Sequence, residues 1–279
     1  MGMGIRINTN VNSLAAQRNL SSTSTSQAKS LEKLSSGTRI NHAADDAAGL
    51  AISEKMRASV RSLAQDMRNA NDGISMIQTA EGAMNEVGNI LVRFRELSIQ
   101  ASSDTIGDTE RAFIDKEVNQ MHEEINRIAQ STEYNGNHLL SGEGGKFEIQ
   151  VGLNNNAEQD RFYYDASKTN VSTSALGVEG ISVKSRGEAQ ENLEKIDGAM
   201  KTLTENRAEL GALQNRLQST VSNIGIYSEN LQGARSRIAD VDMASETAEL
   251  TRSNILTQSG ASVLSQANQN SMIALKLLG

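Results

Sequence analysis

Three histidines and a scatter of carboxylates are what this chain offers for chemistry. His122-Glu123 begins the zinc-protease pattern, in which two histidines one helical turn apart hold the metal and the glutamate acts as base. Asn126 stands where the second histidine belongs, so the ligand set fails. Asp115, Glu117, Glu123 and Glu124 then read as a solvated helix face. Gly142-Glu143-Gly144-Gly145-Lys146 resembles a phosphate loop, but its glycines are wrongly spaced. Phe147 also takes the place of the hydroxyl that would coordinate magnesium. His42 lies beside Asp45 and Asp46, too small a set for a metal or acid–base site. The two aspartates suit the start of a helix instead. Asn19-Leu20-Ser21 and Asn170-Val171-Ser172 match the glycosylation acceptor pattern, which recurs by chance. No catalytic, cofactor-binding or metal site is expected, and the chain reads as a non-enzyme.

Composition narrows the class. The absence of cysteine excludes disulfides and thiolate chemistry, and the absence of proline suits long helices. Aromatic residues make up 3%, thin for a compact globular core. A formal charge of −7 argues against general nucleic-acid binding. No apolar run is long enough for membrane insertion, and no secretory signal precedes the first polar segment.

The elements follow from periodicity. Residues 5–34 form a weakly amphipathic helix marked by Val11, Leu14, Leu31 and Leu34, interrupted by the poor helix formers Ser21 to Ser26. Residues 45–102 predict the longest helix. Met56, Val60, Leu63, Met67, Ala70, Ile74 and Ile77 mark a heptad seam, and a one-residue slip leads to Ala80, Met84, Val87, Leu91 and Phe94. A turn before Asp108 or Thr109, either of which suits a cap, opens a third helix through Ile114, Val118, Ile125 and Ile128. Phe147, Ile149 and Val151 alternate as on a strand, with Arg161 to Ala166 as a second and Ile181 to Ser185 as a third. A long helix returns after Gly187, again with a slip in its seam. A final arm opens on Asp240, Asp242, Glu246 and Glu249.

The fold expected is mostly α: an elongated antiparallel helical bundle or coiled coil with a small β-rich hairpin insert. Residues 47–140 and 187–238 make the bundle and 141–186 the insert. Residues 1–46 and 239–279 form terminal arms, with a joint at 35–46. The small run Ala47-Ala48-Gly49-Leu50-Ala51-Ile52 beside the joint predicts tight packing there. The arms are poor in helix-stabilising sequence and are expected to order against partners. The seams fit either an intramolecular core or a polymer interface. A cytoplasmic coiled-coil signalling module is a rival reading of such a chain.

Both ends carry longer signatures. Ile5 to Leu20 (IRINTNVNSLAAQRNL), Leu34 to Ser53 (LSSGTRINHAADDAAGLAIS) and Arg68 to Glu86 (RNANDGISMIQTAEGAMNE) resemble the bacterial flagellins. So do Glu124 to Leu140, Arg207 to Ser219, Ser228 to Glu246 and Ile255 to Gln269. The resemblance covers roughly residues 1–140 and 190–279, and the middle leaves no room for a large outer domain.

The resemblance implies a structural subunit, exported without signal cleavage, that self-polymerises into an extracellular flagellar filament; a hook–filament junction protein with flagellin-like ends is the rival within it. Its polymerisation core would use Val11, Leu14, Leu31, Leu256, Leu264, Leu275 and Leu278. Implied partners are further copies of itself, an export chaperone at Ile255 to Leu278, and the filament cap and hook–filament junction proteins. A Toll-like receptor would meet Arg93, Leu97 and Glu117. Ser167, Thr169, Ser172, Thr173 and Ser174, in the outermost stretch, are the candidates for O-linked sugars.

Overall fold

The computed structural model describes residues 9–276, with side chains to residue 269. Among the described residues the order is α1 (Val11–Ser36), α2 (Ala47–Ala101), α3 (Asp108–Ser131), β1 (Glu133–Tyr134), β2 (Asn137–His138), β3 (Lys146–Gln150), β4 (Arg161–Asp165), α4 (Arg186–Ala239) and α5 (Met243–Lys276). Internal contacts divide the chain into two compact units, residues 1–58 with 230–279, and residues 59–229.

The second unit holds the main core. Ile77, Ala80, Met84, Val87, Leu91 and Phe94 of α2 are fully or almost fully buried, with Ile125 of α3 and Ile196, Leu210 and Leu217 of α4. The buried stripe of α2 runs 63, 66, 70, 73, 77, 80, 84, 87, 91, 94, 98 and 101, alternating steps of three and four without a break. The expected slip after Ile77 is therefore absent. Asp66 and Gly73 occupy seam positions that a hydrophobic count passes over, while Met67 and Ile74 stand beside the stripe, half-buried. The slip expected in α4 is absent for the same reason: Asn192 and Asn206 lie on its stripe, and Tyr227 is exposed.

Polar groups close the elements. Gly107 precedes α3 without a side-chain cap, so neither Asp108 nor Thr109 caps it. Asp108 instead pairs with Arg111 at 2.9 Å. The buried Arg111 donates to the carbonyls of Ala101 and Ser103, both at 2.9 Å, and so satisfies the end of α2. After α3, Asn135 (φ 51°) and Gly136 (φ 79°) form the turn of the β1–β2 hairpin, both in the left-handed region that such two-residue turns require.

β3 and β4 pair antiparallel with Phe147 opposite Tyr164 and Ile149 opposite Phe162. Tyr164 is buried, and its hydroxyl donates to the Leu139 carbonyl at 2.7 Å beside Thr169 Oγ1 at 2.8 Å. Burial pushes its phenol above the ordinary range. The expected strand at Ile181 to Ser185 is not one. That segment satisfies itself on helices. Ser182 Oγ and the Val183 N–H both donate to Asp115 Oδ1 at 3.0 Å, and Asn192 Nδ2 donates to the Ser182 carbonyl at 2.6 Å. Asp115 is thus buried, apart from the solvated face expected for it.

Removing this carboxylate strands a buried N–H. Asp115→Ala is expected to lower unfolding free energy by roughly 2–3 kcal/mol in urea titration, because the lost bonds involve a charged acceptor. The Val183 amide should lose hydrogen-exchange protection; a variant as stable as the parent contradicts this assignment.

Candidate assembly surface

The first unit is organised by α1 and α5, which pair antiparallel. Asn10 Nδ2 donates to the Ala267 carbonyl at 2.9 Å, Gln27 Nε2 to Asn254 Oδ1 at 2.6 Å, and Lys33 lies 3.8 Å from Glu246. Leu20 Cδ1 lies 3.4 Å from where a Cβ on Gly260 would stand. The less exposed residues of α1 are Ser13, Ala16, Leu20, Thr23, Gln27, Ser30 and Leu34. Those of α5 include Leu250, Ser253, Thr257, Gly260, Leu264 and Ala267. Each set steps by three and four, so each is a heptad stripe, filled mainly by small or polar side chains. Small side chains allow close backbone approach. Several large apolar residues of both arms stand outside the seam, while Leu20, Leu34, Leu250 and Leu264 lie on it.

Val11, Leu14 and Leu31 of α1 are 62%, 51% and 50% exposed, and Ile255, Leu256 and Val263 of α5 are 58%, 51% and 58% exposed. Leu264 differs from these. It is half-buried on the seam within the chain. The Leu275 side chain and the whole of Leu278 lie outside the described residues.

The arms are helical here because each supplies the other's packed face. The serine and threonine run also accommodates itself: Thr23 and Thr25 hydroxyls donate to the carbonyls of Asn19 and Ser21, both at 2.9 Å. Asn10 caps α1 by accepting from the Ser13 N–H, and Asp242 caps α5 by accepting from Ala244 at 3.0 Å.

The joint is fastened rather than loose. Gly37 ends α1 at φ 70°, the left-handed conformation that favours glycine. Its carbonyl accepts from the Val241 N–H at 3.0 Å, Arg39 donates from Nη2 to the Ile238 carbonyl at 2.8 Å, and Thr38 bridges Asp240. Asp46 Oδ1 accepts from the Gly49 N–H at 2.8 Å and caps α2. A side chain at Gly49 would collide with that carboxylate and with Ile40. Asp45 instead accepts from the His42 N–H at 3.0 Å, which holds its carboxyl below the ordinary range. His42 itself turns to Glu32, 2.8 Å away. Of the small apolar run, Gly49 alone is buried; Ala47, Ala48, Ala51 and Ile52 face outward.

The remaining expected sites sort by exposure. Arg93 is on the surface, paired with Glu117 at 2.9 Å and Glu96 at 3.0 Å. Leu97 is 2% exposed, so it packs the core and offers no surface to a receptor. Thr169 and Thr173 are buried as well, which removes the exposure on which they were candidates for sugars. Thr173 Oγ1 and N–H both donate to Asn126 Oδ1, so the residue that spoils the zinc pattern serves as a clamp. Ser167 and Ser174 are exposed and Ser172 is half-buried. The glycine loop before Lys146 is a turn: Gly142 and Gly145 have positive φ, and Lys146 Nζ lies 5.0 Å from the centre of the Tyr163 ring. Among the described residues no three His, Cys, Asp or Glu side chains gather as a metal site. No described helix is long and apolar enough to cross a membrane.

Sequence reading missed the seam of the arm pair. The signal was there in Ser13, Ala16, Ser30 and Ser253, small residues at heptad spacing.

Comparison with known proteins places this pair of helical ends. Residues 7–144 match the bacterial flagellin N-terminal helical region, and residues 193–278 match the bacterial flagellin C-terminal helical region. A flagellin of Halalkalibacterium halodurans is 45% identical over 272 residues, covering 98% of this chain and 99% of the relative. A flagellar filament 33 kDa core protein of Treponema phagedenis is 41% identical over 286 residues, again covering 98% and 99%. The crystal structure of Bacillus cereus flagellin superimposes with a TM-score of 0.50 at 31% identity, over 56% of this chain and 88% of that one. With both helical ends matched and a relative aligned over nearly its full length, the chain belongs to the bacterial flagellin family.

Proposed function

We propose that the chain polymerises into the extracellular flagellar filament through the outward apolar faces of its α1–α5 pair. The observation that carries this is the composition of the pair: small or polar residues make up most of its own seam while Val11, Leu14, Leu31, Leu256 and Val263 face out. Such stripes mark interaction surfaces. Burying each side chain fully contributes about 1.5–3 kcal/mol. The family is one of structural, non-enzymatic subunits, and the partner these faces suit is a second copy of the same chain.

In this reading residues 1–46 and 239–279 form the inner core of the filament. The bundle of 47–140 and 187–238, with its insert at 141–186, forms the next shell. Leu264 then steadies the arm pair within the chain while its exposed neighbours meet other subunits. Export without a cleaved signal, chaperone capture of Ile255 to Leu278, and growth under a cap from a junction ring follow from the family resemblance. The exposed apolar side chains of α5 give a chaperone something to cover.

Substituting Leu256→Ser and Leu14→Ser together should raise the critical concentration for assembly at least tenfold. It should leave the monomer's melting temperature within a few degrees, since both are exposed in the single chain. Sedimentation and negative-stain microscopy read the first, circular dichroism the second. Unimpaired filament growth by the double variant overturns the proposal. Short rings in place of long homopolymers from the parent chain would favour a junction protein instead.

Two surface readings are narrower. Receptor contact through Arg93 and Glu117 predicts that Arg93→Ala lowers signalling by monomer in a Toll-like-receptor reporter assay; equal signalling, or none by the parent, rejects it. O-linked sugars on Ser167, Ser172 or Ser174 predict hexose-sized increments in the intact mass of native filaments. An unmodified mass rejects them.

A further inference from the structure

Asp66 sits on the dry stripe of α2 at 6% exposure, and its Oδ2 is buried without a hydrogen-bond partner. An ionised carboxylate in that position is costly unless something neutralises it. The same face of α2 meets the β3–β4 hairpin. A Cβ on Gly73 would stand 2.6 Å from Ile149 Cδ1, and Asn69 Nδ2 donates to the Gln150 carbonyl at 3.1 Å. Contacts step from Gly73–Ile149 to Asn69–Gln150, so the next turn back along α2, at Asp66, comes level with Val151 and with Asp160, which Val151 pairs with.

Those residues end in a second buried carboxylate. Asp160 is 8% exposed, and its main chain closes the loop through the Val151 N–H at 2.8 Å. Its Oδ2 accepts from the Asn156 N–H at 3.0 Å. Its Oδ1 lies over Gly152, 2.0 Å from where a Cβ would be, so only glycine admits it. Burial first, and the charge of Asp160 second, push the Asp66 carboxyl above the ordinary carboxylate range.

The neighbouring arginines are engaged elsewhere. Arg161 donates to Gln150 Oε1 at 3.2 Å and to Glu148 at 3.1 Å, and also to Asn155. Arg68 donates to Gln65, and Arg216 lies over the Phe162 ring at 4.7 Å. Among the described residues no basic side chain forms an ion pair with Asp66, and its Oδ2 has no hydrogen-bond partner. The loop between β3 and β4 is also rich in carbonyl oxygens, of which Gly152 and Asn154 accept from Gln150 Nε2.

We propose that Asp66 and Asp160 bind a hard divalent cation, Ca²⁺ or Mg²⁺ in chemistry, and that the ion clamps the β3–β4 loop to α2. Two carboxylates balance its charge, and oxygen is the ligand type that such ions take. With only two anionic ligands the affinity belongs in the 10⁻⁴–10⁻³ M range of extracellular modules. The site is far in sequence from the arms, so it stands or falls apart from the assembly proposal.

The test uses full-length monomer, freed of divalent ions with a chelator at pH 7.5 and melted with or without 5 mM CaCl₂. NaCl at matched ionic strength is the control. The expected shift is about 3–5 °C upward, growing with the logarithm of calcium concentration above the millimolar range. Asp66→Asn should raise the calcium-free melting temperature and abolish the calcium response; Asp160→Asn should abolish the response too. A parent chain that responds no more to calcium than to NaCl overturns the proposal, as does a response surviving in Asp66→Asn. Stabilisation by acid alone, with no calcium shift at pH 7.5, would assign the pair a shared proton and also overturn it. Should the variants not fold, titration calorimetry on the parent decides: saturable heat that disappears at pH 4.5 supports the site, and its absence rejects it.

Discussion

A helix of 55 residues is not held in water by its own propensities, and α2 depends on one unbroken dry stripe along its length. Steps of three and four from Leu63 to Ala101 keep the same face turned to the core. Everything in the second unit is fitted to that face. α3 and α4 bring Ile125, Ile196 and Leu210 to it, and the β3–β4 hairpin covers its early turns. Where the hairpin arrives, the stripe gives up bulk at Gly73 and gains charge at Asp66. A glycine inside a helix costs about 1 kcal/mol against alanine. Here it makes room for Ile149, so local helix strength is exchanged for a close sheet-to-helix contact.

The arm pair obeys the same geometry with the opposite composition. Its heptad stripes carry Ser13, Ala16, Ser30, Ser253 and Gly260 where a self-sufficient coiled coil would carry leucine. Leucine enters the seam only at Leu20, Leu34, Leu250 and Leu264 among the described residues, none of them fully buried. Hydrogen bonds across the seam, such as Gln27 to Asn254, fix register more than they add stability. The result is a pair with a defined alignment and an apolar exterior, which suits a part completed by neighbours.

Much of this was legible in the residues. The helices fall within a few positions of their periodic patterns, Asn135-Gly136 marks its hairpin, and Asp46 and Asp242 cap as their types suggest. The missed seam positions have one cause. Counting hydrophobic residues assumes that seams are hydrophobic, so Asp66, Gly73, Asn192 and Asn206 were read off the stripe and a slip was inferred in their place. The segment at Ile181 to Ser185 failed differently. Its alternation is real, with Ile181 and Val183 buried, but its backbone bonds go to Asp115 and Asn192 on helices. Alternation reports one-sided burial, not strand pairing. Thr169 and Thr173 are buried although their stretch is the outermost expected one, since a segment's place says nothing of which way each side chain turns; Leu97, carried over from the family resemblance, is buried too.

The placing of the aromatic residues has an optical consequence. The chain has no tryptophan and four tyrosines. Tyr134, Tyr163 and Tyr164 lie in the two hairpins, and Tyr227 sits exposed on α4. Tyr164 is the fully enclosed one, its hydroxyl fixed between a carbonyl and a threonine. The near-ultraviolet dichroism of the protein therefore reports chiefly on the seating of the β elements, while its far-ultraviolet signal reports on the helices. Two wavelengths of one instrument separate loosening of the insert from melting of the rods.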